Sequence, residues 1–205
     1  MPDIIESLIE EFSRLPGVGP RQARRFAFYM LTRSQKQVAS LSELLLQAKR
    51  AVSHCTSCGK LFVGATSKKK QCVLCADASR DNGLLMIVGH DVDIESIEKS
   101  GGYHGHYFVL GGTIPLIDEK PEAHIRITPL RTYVLEKKKV GLKEIILALD
   151  ANPEGEHTSM YVRSLLTPLV GKEVRISVLG RGLSTGTELQ YSDPETITSA
   201  LKNRT

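Results

Sequence analysis

Cys55-Thr56-Ser57-Cys58 and Cys72-Val73-Leu74-Cys75 hold all four cysteines of a 205-residue chain. Two close Cys-x-x-Cys pairs place four thiolates on two tight turns, where they can converge as a tetrahedron around Zn2+ with no coordination position left for substrate. A closed site of that kind is structural. Two disulfides, or a redox Cys-x-x-Cys beside an unrelated pair, are the alternatives. No apolar signal segment precedes the motif and no cysteine lies elsewhere, so an oxidising compartment has no support and the reduced metal-ligand reading is preferred. One structural Zn2+ per chain is expected, on Cys55, Cys58, Cys72 and Cys75. His54 abuts the first pair, but four thiolates already complete a site, so it is read as a neighbour of the ligands or an exposed histidine. Lys68, Lys69 and Lys70 could touch phosphate, though a charge run of that length is usually a solvated loop.

The cysteines separate two unlike segments. On the N-terminal side, Ile4, Ile5, Leu8, Ile9 and Phe12 recur at helical spacing. Ala23, Phe26, Ala27, Met30 and Leu31 do so again after the break Leu15-Pro16-Gly17-Val18-Gly19-Pro20. This predicts helix, tight turn, helix. Gly17 and Gly19 let the backbone turn sharply and approach a ligand closely, while Pro20 suits the first turn of the second helix. A helix N-terminus with exposed N–H groups binds a phosphate without reading a base, and Arg21, Arg24 and Arg25 add charge at the same place. An ordinary helical turn with glycines chosen for geometry is the competing explanation. A third apolar stripe, Val38, Leu41, Leu45, Ala48 and Val52, is expected to pack as core or as a subunit interface, because three short helices bury little area alone.

Beyond Gly83 the pattern changes. Leu84 to Val88, Tyr107 to Leu110 and Glu144 to Leu149 read as strands, with helices expected over Ile94 to Lys99 and near Leu130 to Lys138. That alternation argues for a small parallel sheet flanked by helices, whose ligands gather at the carboxyl ends of the strands. Asp150, Asn152, Glu154 and Glu156 follow one strand; Gly89, Asp91 and Asp93 follow another. The net charge is only +4, from 27 basic and 23 acidic residues, but its distribution is uneven. Arg14 to Arg33 contains no acid, whereas Asp91 to Glu98 and Glu154 to Glu156 are acidic, so the two segments should have different partners. The longest apolar runs are of buried-strand length, which excludes a transmembrane span and points to the cytoplasm.

The Leu15 to Pro20 turn resembles the helix-hairpin-helix motif of DNA-binding proteins. Asp150-Ala151-Asn152-Pro153-Glu154-Gly155-Glu156 resembles the acidic signature of Toprim domains, the fold shared by topoisomerases, bacterial primases and some nucleases. Catalytic Toprim sites use a glutamate after the first strand and a pair of aspartates that hold Mg2+. This chain has Gly89 at the first position and Asn152 in place of the second aspartate, so proton transfer has no carrier and Mg2+ is not expected.

Taken together, the hairpin, the cysteine pairs, the Toprim segment with Tyr107-Phe108-Val109-Leu110-Gly111-Gly112, and a tail with Gly180-Arg181-Gly182-Leu183-Ser184-Thr185-Gly186 and Leu189-Gln190-Tyr191-Ser192-Asp193 resemble the RecR family of bacterial recombination-repair proteins from end to end. Departures are a longer loop between the cysteine pairs, Ser184 where the family often has proline, and the missing Toprim glutamate. The resemblance implies a multidomain α/β protein: a helix-hairpin-helix domain over 1–52, a small four-cysteine zinc finger over 53–79, a Toprim (Rossmann-like) domain over 80–175 and a C-terminal strand and helix segment for oligomerisation over 176–205. The Gly180 to Gly186 stretch lacks a lysine for nucleotide phosphates and is expected to serve turn geometry before a last strand and helix. The resemblance further implies a non-catalytic, nucleoid-associated mediator that binds single- and double-stranded DNA without sequence preference. It would work with RecO, and in some settings RecF, to load RecA onto DNA coated by single-strand-binding protein. A homo-oligomeric ring, dimer or tetramer, is implied too, with Arg21 and Arg25 at the family's basic hairpin positions and Arg24 joining on charge. Asp150, Glu154 and Glu156 are expected to dock a partner. The rival readings are a Mg2+-dependent Toprim nuclease or primase and a zinc-stabilised adaptor for protein partners alone.

Overall fold

The computed structural model describes residues 3–64, 70–117, 120–180, 182–183, 186 and 188–202. The chain forms two compact units, Met1–Val52 and Ser53–Thr205. The first consists of helices α1 (Ile4–Ser13), α2 (Pro20–Leu31) and α3 (Gln35–Ala51). Asp3 caps α1 by accepting from the Ile5 amide, and Ser34 with Gln37 forms a reciprocal capping box that starts α3. Ile9, Ala23 and Ala27 are the buried centre of the α1–α2 pair, with Phe12 and Phe26 edge to face at 6.0 Å. Alanines at the crossing let the two backbones approach. The apolar stripes are narrower than their sequence implies: Ile4 and Leu31 are exposed, because each of these short helices meets one neighbour along one line. In α3 no described residue is buried.

A two-stranded ribbon, β1 (Val52–His54) and β2 (Leu61–Val63), begins at the last residue of the first unit and leads the second, followed by a single helical turn, α4 (Val73–Ala76). Then β3 (Asp81–Val88), α5 (Asp91–Ser100), β4 (Gly105–Val109), α6 (Ile127–Lys139), β5 (Glu144–Ala148), α7 (Pro153–Val170) and β6 (Arg175–Val178) build a parallel sheet of order β4-β3-β5-β6. Alternation along β3 distributes its side chains to two cores. Leu85 and Ile87 join Leu130 and Val134 of α6 and Val162 and Leu166 of α7, whereas Met86 and Val88 join Ile94 of α5 and Tyr107. Helices therefore cover both faces, as near-continuous apolar strands require.

The strands and helices expected between Leu84 and Leu149 are all formed. The tail differs in order. Among the described residues the last strand, β6, precedes the glycine-rich stretch, which is followed by a 3-10 turn at Leu189–Tyr191 and by α8 (Pro194–Lys202). The Asp193 carboxylate accepts from the Thr196 amide and hydroxyl, so Ser-Asp-Pro starts a helix there and not a strand. Arg181, Ser184 and Thr185 lie outside the described residues.

Candidate metal centre and nucleic-acid interface

The first cysteine pair occupies the turn between β1 and β2, closed by Cys55 N–H to the Lys60 carbonyl at 2.8 Å and Gly59 N–H to the Cys55 carbonyl at 2.9 Å. The second straddles the helical turn α4, with Cys72 ahead of it and Cys75 inside. The fold brings all four Sγ atoms within 4.8 Å of one another, with Cys58 and Cys72 at 3.6 Å. A tetrahedron with metal–sulfur bonds of about 2.3 Å has edges of about 3.8 Å, so the four sulfurs fit the corners of a metal site. All four cysteines are reduced; Cys55, Cys58 and Cys72 are buried and Cys75 half-buried. Four thiols this close cannot all ionise by themselves. Hydrogen bonding with Cys58 first, then Cys72 and Cys75, pulls Cys55 far down, and the bond with Cys55 first pushes Cys58 far up. A bound dication removes that conflict by neutralising the set.

His54 is exposed, its Nδ1 3.1 Å from the Gly59 carbonyl and 3.2 Å from a terminal nitrogen of Arg126. Lys68 and Lys69 lie outside the described residues. The Lys70 carbonyl is bonded to the Thr56 amide at 2.9 Å, which ties the two cysteine turns together.

In the helical unit, the turn between α1 and α2 is closed by Val18 N–H to the Leu15 carbonyl at 3.1 Å, with Gly17 at φ +75°. Gly19 is the residue before α2, and no side chain caps the amides that follow. A Cβ at Gly19 would meet nothing within 4 Å, so no internal packing demands glycine there; its effect is to leave the start of α2 bare. Arg21, Arg24 and Arg25 are all exposed on the first turns of α2. Arg24 pairs with Glu6 at 3.4 Å and Arg25 donates to Gln22 at 3.4 Å. An exposed ion pair contributes about 0–1 kcal/mol, so a phosphate can displace Glu6 at little cost. The outward side of α2 carries no motif, yet Phe28 and Tyr29 are exposed there and the Arg33 guanidinium stacks 4.0 Å from the Tyr29 ring centre. Their helical phase, off the line of the buried positions Ala23 and Ala27, is the one sequence signal that marks them.

Asp150, Glu154 and Glu156 are exposed at the carboxyl end of β5 and the first turn of α7. The Asn152 side chain accepts from the Gly155 amide at 2.8 Å, so the residue standing where Toprim enzymes have an aspartate is used here as a helix cap. Gly155 is sterically required: a Cβ would lie 2.0 Å from the Asp150 carbonyl oxygen. Acids in the first turn of α7 favour its dipole, and Glu154 also accepts from Thr113 at 3.3 Å. A shallow cavity of about 230 Å³ beside them is lined by Asp150, Glu156, Ser159, Met160 and Val178, a mixture of carboxylates and apolar groups. Among the described residues it is the cysteines, and not these carboxylates, whose ligand atoms close to metal-sharing distance.

A family model described as RecR, helix-hairpin-helix, matches residues 5–49, and one described as Toprim domain matches residues 83–180. Recombination protein RecR of Ligilactobacillus salivarius is 34% identical over 203 residues, covering 99% of this chain and 97% of its own. The protein of the same name from Acidothermus cellulolyticus is 40% identical over 202 residues, covering 98% and 96%. That of Oenococcus oeni is 38% identical over 205 residues, covering 100% and 98%. The chain belongs to the RecR family. Its RecR hairpin match runs from α1 into α3, and its Toprim match takes in every strand of the parallel sheet from Gly83 onward. The four-cysteine knuckle falls between the two matches. No helix among the described residues is long and apolar enough to cross a membrane.

Proposed function

We propose that this chain acts in bacterial recombination repair as a DNA-binding mediator, cooperating with RecO, and in some settings RecF, to load RecA onto single-stranded DNA coated by single-strand-binding protein. The observation that carries it is the start of α2: glycine where packing does not ask for it, no side-chain cap, and Arg21 and Arg25 exposed beside the bare amides. Such a surface grips phosphates and leaves base edges unread, which suits a protein that works on single- and double-stranded DNA of any sequence at the nucleoid. Family membership supplies the recombination context.

One Zn2+ per subunit, on Cys55, Cys58, Cys72 and Cys75, is the metal that a buried four-thiolate set favours. When bound, it supplies no chemistry beyond holding the knuckle, since four protein ligands fill it. Assembly of copies into a ring is supported by α3, where Val38, Leu41, Leu44, Leu45 and Leu46 are exposed, and by a groove of about 740 Å³ lined in part by Leu8, Phe12, Met30 and Val38. Leu189, Tyr191 and Leu201, exposed in the C-terminal segment, suit the exchange of tails between copies.

The Toprim unit serves as a docking surface and not as a catalytic centre. Gly89 offers no proton, Asn152 is spent as a cap, and Asp150 and Glu156 line a partly apolar cavity. Incubation with Mg2+ and DNA should give binding without cleavage, relaxation or primer synthesis. Mg2+-dependent turnover abolished by Asp150→Ala would restore the enzyme reading. If the acids meet a basic surface on RecO, the double variant Glu154→Lys, Glu156→Lys should slow RecO association several-fold, most at low salt, and leave DNA binding intact. Unchanged association at every salt concentration would place the docking surface elsewhere.

A further inference from the structure

Arg126, the residue ahead of α6, belongs to none of the motifs above. One of its terminal nitrogens donates to the Gly59 carbonyl at 3.0 Å and the Val109 carbonyl at 3.1 Å, and the other reaches His54 Nδ1 at 3.2 Å. A guanidinium donates and never accepts, so Arg126 is the donor to both carbonyls, and the His54 ring, with Nδ1 3.1 Å from the Gly59 carbonyl, stands beside it. The Gly59 carbonyl is then served by Arg126. Space is kept for this group on both sides: a Cβ on Gly59 would lie 2.7 Å from Arg126 Nη1, and one on Gly111 3.3 Å from Arg126 Cζ.

Other bonds converge on the same seam. The Val109 amide donates to the carbonyl of Cys58, itself one of the four sulfur residues, at 2.8 Å. The Leu61 amide donates to Asp91 Oδ1 at 2.6 Å. Leu74, between Cys72 and Cys75, packs in the knuckle's cluster and in one of the two sheet cores. Beyond Val109 the path runs directly into the strand ends, through Leu110 N–H to the Val88 carbonyl at 2.9 Å and Gly111 N–H to the Gly89 carbonyl at 3.0 Å. Thus a metal that fixes the Cys58 sulfur also fixes the carbonyls of Cys58 and Gly59, and these are the two acceptors used by the sheet and by Arg126.

We propose that Arg126 is a positioning residue that joins the four-cysteine knuckle to the carboxyl ends of β3 and β4, so that metal in the knuckle sets the geometry of those strand ends. The inference rests on the four-thiolate metal reading. It is tested on full-length protein by metal content, by the rate of Zn2+ release to a chromogenic chelator, and by amide hydrogen exchange. Arg126→Ala should load the same Zn2+ as the wild type but release it about tenfold faster, the size expected for losing charge-assisted hydrogen bonds. Amides at 88–91 and 109–112 should exchange faster, with 144–148 unchanged, and wild-type protein stripped by chelator should show the same pattern. Arg126→Lys keeps the charge but not the planar fork, and should show the same effects at smaller amplitude if the alanine variant does not fold. Wild-type release rates in these variants, or exchange raised in the knuckle alone, would overturn the proposal. A wild-type protein that carries no metal would overturn the metal reading itself, a result distinct from a loaded protein in which Arg126 is silent.

Discussion

Cys58→Ser should yield protein without bound Zn2+ and with a second unit that melts lower by about 10 °C, the shift expected for a few kcal/mol in a domain of this size. A hydroxyl does not replace a thiolate as a ligand, and Cys58 is 1% exposed, so no solvent compensates for the lost bond. Metal binding at a structural zinc site is coupled to folding, so a variant that cannot hold the ion loses part of the stability of the fold around it. The consequence spreads beyond the knuckle, because the Cys58 carbonyl is the acceptor for the Val109 amide at the end of β4. Solubility should fall as Val109 and its neighbours are uncovered. Metal analysis and a thermal melt decide the matter: full zinc content and an unshifted melt in the variant would show that Cys58 is no ligand.

Replacing Arg21 and Arg25 together with alanine should weaken DNA binding at moderate salt by one to two orders of magnitude, roughly tenfold for each charge that meets a phosphate. The effect should be alike for all sequences. In a plot of log affinity against log salt, the slope should fall by about one for each phosphate that the variant no longer neutralises per bound subunit. Arg24, whose exposed pairing with Glu6 at 3.4 Å a phosphate can displace, stays in the double variant and retains part of the affinity. Fluorescence anisotropy with two unrelated oligonucleotides across a salt series is sufficient. Unchanged slope and affinity would move the binding surface away from the hairpin.

Much of this architecture is legible in the chain because it is encoded locally. The two Cys-x-x-Cys pairs mark four thiols on two tight turns, which the fold gathers within 4.8 Å of one another, and the glycines around Val18 announce a turn between two periodic segments. Apolar strands alternating with helical stretches from Leu84 to Leu149 give the parallel sheet. What escapes is decided by neighbours far apart in sequence. Arg126 acquires its role through His54, 72 residues earlier, and no spacing rule links them. The stripe on α3 shows that Leu41 and Leu45 share a face but not what covers that face, and in the single chain they stay exposed. Asn152 reads in the sequence as a Toprim aspartate replaced by an amide, but its use as the cap of α7, accepting from the Gly155 amide, is seen only in the fold. The order of the tail is hidden because Leu189 to Tyr191 is apolar enough for a strand, while β6 completes its place in the sheet by pairing with β5, across a connection that carries the whole of α7.

The mediator role is tested most directly by following RecA assembly on single-stranded DNA that is already coated with single-strand-binding protein, in the presence of RecO, with and without this protein. RecA loading, slow in its absence, should accelerate when it is added, the Arg21→Ala, Arg25→Ala variant should fail to accelerate it, and the DNA should be recovered uncut. Equal loading rates with and without the protein, or DNA cleaved in a Mg2+-dependent manner, would contradict that role.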